Sequence, residues 1–564
     1  MKKALYLLLA AVLILGALAG CATDDPGTAA AEETATFASK AEMLEAYGLD
    51  ENLRFLETRH ITVEIYDRNN SDVGGTDPTN NVYTDFIKEG MLRDHNVEVE
   101  FVPVPRWEEV ATINNMLAAN EAPDVCVTYD YPQIQSYGLM DAIVNLTPYL
   151  DAGGEELFPN MWAVMGRTNI YWNQDPVDGH IWAMEAMLYN NMRTNTFVRE
   201  DWLAALDMEL PTTEAEFEAM LIAFRDNAEL LLGEDADQMV PFATSRDVAW
   251  DASRLIESYF PDEMTDREFY IKGIGDRRLF FPGVKEATRV LNKWYNEGLM
   301  DPDFALYETG NDIFTNKFKA GYVGAFMGNW DLPYRDGELG ITGTMHAQVG
   351  PEANFVAVDS FPNNAGVDKK YLSAPVDRKV FLPATNDEPV ASLLYVDWIS
   401  RPDVRFYLQL GTEGINYEVT ENGAYQNIPT DTEHFINSAQ NIDYTITING
   451  LDVGDPAITA LSMALGYAGV EPRLIETSYV LQKTNFRIGK QVSVGVLASE
   501  DGLGTVLTDK GYELFAKSIV AAPEEFDAVY DQLMGDLMTQ YGDASQAERA
   551  EKFQQYYGDV EMLP

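Results

Sequence analysis

The sequence predicts an α/β fold divided into two or more lobes. The chain has 564 residues, which is too long for one compact hydrophobic core. Its hydrophobic fraction of 46% is that of a globular protein. Residues 60–66 alternate apolar and polar side chains as a strand does, and helical and strand patterns then follow in turn. This alternation predicts right-handed crossovers and a largely parallel sheet.

The predicted helices and strands of residues 83–127 follow one another closely along the sequence. Residues 83–92 and 107–117 carry apolar side chains at helical spacing, and residues 97–102 alternate like a second strand. Residues 122–124, Ala-Pro-Asp, predict a turn that leads into a short apolar strand at residues 125–127.

The middle and the end of the chain are predicted to be richer in helix. The helices predicted there lie at residues 213–224, 284–299, 390–400, 525–541 and 546–557. Thr213 and Glu216 have the spacing of a capping box, which marks the start of the first of them.

The first twenty residues have the layout of a secretory signal peptide. Lys2 and Lys3 precede an apolar run at residues 7–18, which is shorter than the ~20 residues of a membrane span. Residues 18–21, Leu-Ala-Gly-Cys, resemble a bacterial lipobox, which implies that Cys21 becomes a lipidated, palmitate-bearing N-terminus. The alternative is an ordinary signal peptide with a chance cysteine.

A flexible tether is expected after this cysteine, over residues 21–55. Residues 22–40 are rich in Ala, Thr, Asp and Glu and show little apolar periodicity, so they cannot bury enough surface to order themselves. No later segment has a long uninterrupted apolar run, and we predict no transmembrane helix.

The second cysteine, Cys126, is expected to be buried and inert because it lies in an apolar strand. With Cys21 carrying lipid, no disulfide and no cysteine-based metal site are expected. The five histidines are scattered singly and form no metal-binding pair.

The charge excludes one class of partner. The formal net charge is −52, and removal of residues 1–20 takes away two lysines and no acids, which leaves 37 bases against 91 acids. Such a surface repels nucleic acid and anionic membranes at long range and disfavours a polyanionic ligand.

Six segments, taken in order, are similar to extracellular solute-binding proteins of family 1, which serve sugar ABC importers. They are residues 120–125 (Asn-Glu-Ala-Pro-Asp-Val), 178–182 (Asp-Gly-His-Ile-Trp), 198–203 (Val-Arg-Glu-Asp-Trp-Leu), 294–302 (Trp-Tyr-Asn-Glu-Gly-Leu-Met-Asp-Pro), 324–330 (Gly-Ala-Phe-Met-Gly-Asn-Trp) and 411–417 (Gly-Thr-Glu-Gly-Ile-Asn-Tyr). The resemblance is to the large oligosaccharide-binding branch, which includes alginate-binding proteins, and it spans roughly residues 60–425.

The resemblance implies an α/β fold of the type II periplasmic-binding-protein-like kind. In this fold the chain forms two lobes with a ligand cleft between them. The expected divisions are residues 56–165 and 326–400 in lobe 1, and residues 166–325 and 401–564, with closing helices, in lobe 2. Two or three crossovers would join the lobes, and closure around the ligand would be a hinge motion.

The resemblance also implies the setting in which the protein works. It would be a monomer on the extracytoplasmic face of the cell membrane, held by its lipid anchor, and would deliver a carbohydrate to the transmembrane permease subunits of an ABC importer. No cofactor is expected, with a bound calcium ion left as the alternative. The large branch often has an acidic calcium loop, and the corresponding residues 233–238, Gly-Glu-Asp-Ala-Asp-Gln, lack its spacing.

Sugars offer flat C–H faces and a ring of hydroxyl groups, which suit aromatic and polar side chains respectively. The candidate ligand residues lie mostly in loops or at strand ends: Tyr129, Asp130, Tyr131, Trp172, Glu185, Arg246, Trp250, Trp330 and Asp331. For each aromatic candidate ordinary packing is the alternative, and for Glu185 and Arg246 the alternative is a surface ion pair. Trp202, Trp294 and Trp398 occupy apolar helix positions and are assigned to packing.

Three other functions are weighed against this interpretation. A surface glycoside hydrolase or lyase would need a pair of carboxylates, which sequence cannot exclude among 91 acids, although no Gly-x-Ser-x-Gly or His-Glu-x-x-His motif is present. The same fold could bind a peptide or another polar solute instead. The third is a surface receptor or adhesin without a permease.

Overall fold

The structure is a computed structural model that describes residues 39–563. The residues left undescribed within that range are 70–74, 152–153, 176–177, 190–193, 276, 308–311, 336, 360, 362–369, 373–375, 429–432, 468, 483, 485, 489–491, 493, 495–496 and 501. The signal peptide, Cys21 and residues 22–38 of the tether therefore lie outside the described residues.

Fourteen strands are described. They are β1 (Arg59–Asp67), β2 (Val97–Pro105), β3 (Cys126–Thr128), β4 (Met184–Leu188), β5 (Thr194–Arg199), β6 (Val240–Ala243), β7 (Val323–Asn329), β8 (Phe355–Val358), β9 (Lys370–Leu372), β10 (Val376–Phe381), β11 (Tyr417–Val419), β12 (Tyr425–Asn427), β13 (Ile448–Asn449) and β14 (Phe486–Ile488).

The described α-helices alternate with the strands and make up most of the C-terminal part. They are Lys40–Tyr47, Val82–His95, Glu109–Ala119, Tyr131–Leu139, Thr147–Asp151, Gly154–Leu157, Pro159–Ile170, Glu200–Ala205, Glu214–Asp226, Ala228–Leu232, Val248–Asp251, Ser253–Ser258, Asp266–Lys272, Val284–Asn296, Asp312–Lys319, Ile341–Gln348, Pro389–Ser400, Pro402–Leu410, Pro456–Leu465, Pro472–Leu481, Leu503–Val520, Phe526–Leu537 and Asp543–Tyr557. None of the described helices has both the length and the hydrophobicity of a membrane span.

Two mixed sheets form the centres of two lobes. In the first lobe, β1 and β2 are parallel, and a parallel bridge from Val63 to Val125 joins β1 to β3. The order β13-β4-β10-β3 completes this sheet. The second lobe has the order β6-β7-β5-β8, in which β5 is antiparallel to both neighbours. The prediction of a largely parallel sheet is thus wrong, because β10 and β5 enter their sheets from the opposite lobe and run against their neighbours.

The hydrophobic cores divide the chain differently from the predicted boundaries. The second core contains Phe326 and Phe361, which were assigned to lobe 1, and the first core contains Ile170, Val404 and Tyr444, which were assigned to lobe 2. The strands of the two central sheets change lobe after β4 and between β8 and β10, and the helices after β13 pack in the second core. We therefore propose main lobe boundaries near residues 190, 360 and 450, with residues 410–417 also packed on the second core.

The predicted tether also needs correction at its C-terminal end. Ser39 caps the helix Lys40–Tyr47, whose Met43 is 3% exposed, and Phe55 is 3% exposed in the first core. The first lobe therefore begins at about residue 39 rather than residue 56. Leu44 and Leu49 are also buried in the first core, whereas Leu56 is 73% exposed.

Other local predictions agree with the structure. Thr213 and Glu216 form the predicted capping box, and Trp202, Trp294 and Trp398 are buried. Cys126 is buried and free, and burial raises the pKa of its thiol well above the ordinary value. Trp107 departs from prediction: it lies in a 3-10 turn before the helix Glu109–Ala119 and is 78% exposed.

Two helices of the first lobe pack closely because one of them has a glycine at the contact. Gly90 on the helix Val82–His95 lies against Trp398 on the helix Pro389–Ser400, and a Cβ atom at Gly90 would overlap the indole ring. The same indole donates a hydrogen bond from Nε1 to Asp94 at 2.9 Å. The two helices can therefore approach only where the first of them lacks a side chain.

We expect Gly90→Ala to lower the free energy of unfolding by about 1–3 kcal/mol, because the added methyl group forces the indole out of its packed position. Chemical denaturation followed by circular dichroism measures this change. The control is Gly535→Ala on the helix Phe526–Leu537, where a Cβ meets no atom within 4 Å. The control should gain up to about 1 kcal/mol from helix propensity, and an equal gain at Gly90 would contradict the packing argument.

Candidate functional site

The carboxyl ends of three parallel strands meet at one edge of the first lobe. Tyr66 lies near the end of β1, Arg106 follows β2 and Tyr129 follows β3. The rings of Tyr66 and Tyr129 are stacked with centroids 6.2 Å apart. The guanidinium carbon of Arg106 is 4.2 Å from the Tyr129 centroid and 5.0 Å from that of Tyr66. We call these three residues the lobe 1 edge.

Glu109 holds the lobe 1 edge in place. Its carboxylate is 6% exposed and accepts hydrogen bonds from the Tyr129 backbone N–H at 2.9 Å, the Thr128 hydroxyl at 3.2 Å and Nη1 of Arg106 at 3.1 Å. Burial raises the pKa of Tyr129, so its hydroxyl stays a neutral donor and acceptor at ordinary pH. An aromatic face beside a cation suits the C–H and hydroxyl groups of a polyol.

Asp130 and Tyr131 follow Tyr129 directly, and of these two only the side chain of Asp130 is described. Asp130 is the N-cap of the helix Tyr131–Leu139 and accepts a hydrogen bond from the Gln133 backbone N–H at 3.2 Å. One oxygen of its carboxylate is thus used by the helix. Tyr131 is the first residue of that helix, and its side chain lies outside the described part of the chain.

Glu185 lies on β4, opposite Lys379 of β10, and is fully buried. Its alternative assignment to a surface ion pair is therefore wrong. Asn173 donates a short hydrogen bond to Oε1, Lys379 Nζ is 3.6 Å from Oε2, and that second oxygen accepts no hydrogen bond in the described structure. Burial raises the pKa of Glu185 to about 7, against the opposing effect of Lys379.

Lys379 connects Glu185 to the lobe 1 edge, because its ammonium also donates to the Tyr129 carbonyl at 3.4 Å. Trp172 is half-buried and immediately precedes Asn173 in the chain. The structure thus brings Tyr129, Glu185 and the neighbourhood of Trp172 into one region of the first lobe.

Arg246 and Trp250 form a second group, after β6 in the second lobe. The Arg246 guanidinium lies 4.9 Å from the ring centroid of Tyr512. Arg277 pairs with Asp247 through hydrogen bonds of 3.0 and 2.6 Å and lies 5.8 Å from the Trp250 ring. This group also follows the carboxyl end of a strand, the position where open α/β sheets bind ligands.

Trp330 and Asp331 form a third group at the end of β7. Trp330 is only 7% exposed, and its ring meets those of Tyr467 and Tyr479 edge-on at 5.9 and 5.3 Å. Asp331 accepts a hydrogen bond from the Tyr467 hydroxyl at 3.0 Å and pairs with Arg335. Trp330 is therefore largely a packing residue in the second core, with little face left for a ligand.

Several residues of these groups were not singled out in the sequence. They are Tyr66, Arg106, Glu109, Asn173 and Lys379. The signal for Arg106 was present, since it directly follows the alternating strand that ends at Pro105. Lys379 gave no comparable signal, because Tyr129 and Glu185, its partners in this region, are more than 190 residues away in the chain. No group of His, Cys, Asp and Glu in the described chain is arranged to hold a metal ion.

A family model for bacterial extracellular solute-binding proteins matches residues 84–414. Because this match covers more than half of the chain, the protein belongs to the bacterial extracellular solute-binding protein family. Members of this class bind a solute outside the cytoplasm and are not enzymes. The glycoside hydrolase alternative is thereby set aside. No curated protein sequence matches the chain.

Solved structures confirm the two-lobe fold. An alginate-binding protein determined without calcium is 16% identical, with 90% of this chain and 100% of that chain covered and a TM-score of 0.57. An HMO-binding solute-binding protein from Bifidobacterium longum infantis is 15% identical over 87% and 98% of the two chains, with a TM-score of 0.57. An N-glycan transport solute-binding protein from Streptococcus pneumoniae is 13% identical over 89% and 100%, with a TM-score of 0.54. At these identities the similarity establishes the fold, a periplasmic-binding-protein-like pair of lobes with a cleft between them.

The raised pKa of Glu185 has a consequence for stability. Between its ordinary value of 4.5 and about 7, the folded protein keeps a proton on Glu185 that the unfolded chain has released. Stability therefore falls as the pH rises through this window. Glu185→Gln removes this dependence, so the variant should gain roughly 2–3 kcal/mol relative to wild type between pH 4.5 and 7.5.

Urea denaturation at a series of pH values measures this difference. The matched control is Glu57→Gln, an exposed position, whose difference from wild type should stay constant with pH. A constant difference for Glu185→Gln as well would show that the buried carboxyl does not retain its proton.

Proposed function

We propose that the protein captures a carbohydrate, a neutral oligosaccharide, in the cleft between its lobes and delivers it to the permease of an ABC importer. The observation that carries this proposal is the lobe 1 edge, where the half-buried ring of Tyr129 and the Arg106 guanidinium lie over the buried Tyr66 at the ends of the strands. Such a surface suits the apolar faces and hydroxyl groups of sugars.

Two further observations support a carbohydrate ligand. The structural neighbours include proteins described as binding alginate, HMO and kestose. The net charge of −52 disfavours polyanions, so a neutral sugar fits this chain better than a uronate polymer does. We assign Tyr129 to stacking and Arg106 and Trp172 to its surroundings in the first lobe, with Arg246 and Trp250 as the candidates from the second.

The finer setting of the protein is part of the same proposal. Cys21 would be lipidated after removal of residues 1–20, which would hold a monomeric protein at the extracytoplasmic face of the membrane. The permease and its ATPase would be separate chains. No cofactor is assigned, because residues 233–238 form a 3-10 turn and lack the spacing of a calcium loop.

A thermal-shift screen of residues 22–564 tests the ligand class. Neutral, basic and acidic oligosaccharides are compared with peptides, since a solute that binds only the folded state raises the melting temperature. We expect a rise with neutral saccharides and no product on standing. Stabilisation by peptides alone would leave the family membership intact and make the carbohydrate proposal wrong.

We expect Tyr129→Ala to weaken binding of the stabilising saccharide about tenfold or more, because the stacking face is lost. Isothermal titration calorimetry measures the affinity. Tyr556→Ala on the C-terminal helix is the control and should bind as wild type does. Unchanged affinity in Tyr129→Ala would remove the lobe 1 edge from the site.

We expect Cys21→Ser to abolish incorporation of labelled palmitate and to move the protein from the membrane fraction to the soluble fraction. Cys126→Ser is the matched control, since that thiol is buried and free and should not affect anchoring. Membrane retention of Cys21→Ser would contradict the lipid anchor.

A further inference from the structure

Lys379 lies between the lobe 1 edge and the buried Glu185. It belongs to β10 and is 9% exposed. Its ammonium donates to the carbonyl groups of Asp377 at 2.8 Å and Tyr129 at 3.4 Å, and it lies 3.6 Å from Oε2 of Glu185. The last two distances are longer than the ~2.8 Å of a good charge-assisted hydrogen bond. One firm contact thus holds the lysine, while two longer contacts compete for the same ammonium.

The carboxyl group of Glu185 is incompletely paired. The residue is fully buried, so its carboxyl group cannot touch a ligand. Asn173 donates to Oε1, and Oε2 has no hydrogen-bond partner among the described residues. A proton on Oε2 removes the negative charge. Loss of that proton leaves a buried charge whose ion-pair partner in the described structure is Lys379.

The other charged groups near Glu185 are few in the described part of the lobe. On β10, Asp377 opposes ionisation of Glu185, and Arg378 donates to two backbone carbonyl groups elsewhere in the lobe. Neighbouring β13 contributes no titratable side chain. On the helix that packs against β4, Arg167 lies over the ring of Tyr171 at 4.3 Å. Lys379 is therefore the cation that responds to the charge of Glu185.

Burial sets the pH range in which this charge changes. It raises the pKa of Glu185 from 4.5 to about 7, while Lys379 and Asn173 act in the opposite direction. The carboxyl group is therefore largely neutral at pH 6 and largely ionised at pH 8. Ionisation draws the ammonium toward Oε2 by Coulomb attraction. The bond to the Tyr129 carbonyl is the one that gives way, because the contact with Asp377 is shorter.

The backbone of Tyr129 is held from two sides. Glu109 accepts a hydrogen bond from its N–H at 2.9 Å, and Lys379 donates to its carbonyl group. The ring itself is half-buried, stacks on Tyr66 and lies against the guanidinium of Arg106. Release of the carbonyl lets this backbone shift and moves the ring relative to the guanidinium. The surface offered to a ligand then changes.

From this geometry we infer that Glu185 and Lys379 are positioning residues that couple the placement of Tyr129, and with it the ligand affinity of the lobe 1 edge, to pH. With Glu185 neutral, Lys379 holds the Tyr129 carbonyl and the ligand binds tightly. With Glu185 ionised, the ammonium turns to the carboxylate and the ligand binds more weakly. Since such coupling is reciprocal, binding above pH 7 takes up a proton. The effect on affinity rests on the proposed function, whereas the response of Tyr129 does not.

The Tyr129 carbonyl can be observed by NMR without any ligand. Residues 22–564 are labelled at the carbonyl carbons of tyrosine and the amide nitrogens of aspartate, so that a signal arises from the Tyr-Asp pairs at residues 66–67, 129–130 and 530–531. Tyr129→Phe identifies the signal of the second pair by removing its labelled carbonyl. We expect that signal to titrate with a midpoint near pH 7 in wild type. It should lose this titration in Glu185→Gln and in Lys379→Met.

A signal that stays constant from pH 5.5 to 8.5 in wild type overturns the inference, as does an equal titration in Glu185→Gln. The control is His180→Gln, because histidine side chains also titrate in this range. His180 pairs with Asp178 at 3.1 Å, outside the lobe 1 edge, and its replacement should leave the titration unchanged. Loss of the titration in His180→Gln would assign it to that ring and overturn the inference as well.

Calorimetry with maltotriose, cellotriose, xylotriose and raffinose tests the effect on affinity. For a trisaccharide that binds, the dissociation constant should rise about threefold or more between pH 6 and pH 8 in wild type. In Glu185→Gln it should change by less than about 1.5-fold. The heat measured at pH 8 should depend on the ionisation heat of the buffer in wild type, because binding takes up a proton there.

The two measurements separate this inference from the proposed function. Saccharide binding that is independent of pH in wild type overturns the coupling and leaves the carbohydrate function standing. A Tyr129 signal that titrates, with none of the saccharides or other neutral sugars bound, overturns the carbohydrate function and supports the response of Tyr129 to Glu185.

Discussion

The first lobe depends on two basic side chains of β10, which connect segments far apart in the sequence. Arg378 is fully buried and donates to the carbonyl groups of Ile442 at 2.6 Å and Ile448 at 3.1 Å. Its neighbour Lys379 reaches Tyr129 and Glu185. Because β10 follows the strands of the second lobe in the sequence, Lys379 joins Tyr129 and Glu185 to a part of the chain more than 190 residues away.

Burying acidic side chains in the first lobe costs desolvation energy. Glu64 and Glu185 are both buried in the first lobe, and burial raises the pKa of each above its ordinary value. Apolar side chains at these positions would avoid that desolvation. Glu64 instead accepts a hydrogen bond from the Val127 N–H at 2.8 Å, just before Tyr129. The buried carboxyl group of Glu64 thus fixes the end of β3, which presents Tyr129.

Sequence reasoning succeeded where the information is local. The helix Glu214–Asp226 was predicted because its capping box and its apolar face lie within one short segment. The position of Tyr129 after a strand was likewise visible. The burial of Glu185 and the antiparallel entry of β10 were not, since both depend on partners across the sheet. Trp330 shows the limit for sites: the sequence makes it a candidate ligand residue, but the rings of Tyr467 and Tyr479 that cover it come from a distant segment.

The net charge of the protein and the side chains at its ligand site act over different distances. A formal charge of −52 acts over long distances and repels anions from the whole surface. At contact distance the lining of each site decides what binds there. The lobe 1 edge places the Arg106 guanidinium beside the rings of Tyr66 and Tyr129. This arrangement is compatible with a neutral polyol, because hydroxyl groups can bond to a guanidinium. The acidic surface therefore restricts the choice of solute, and the lining of the site selects within what it allows.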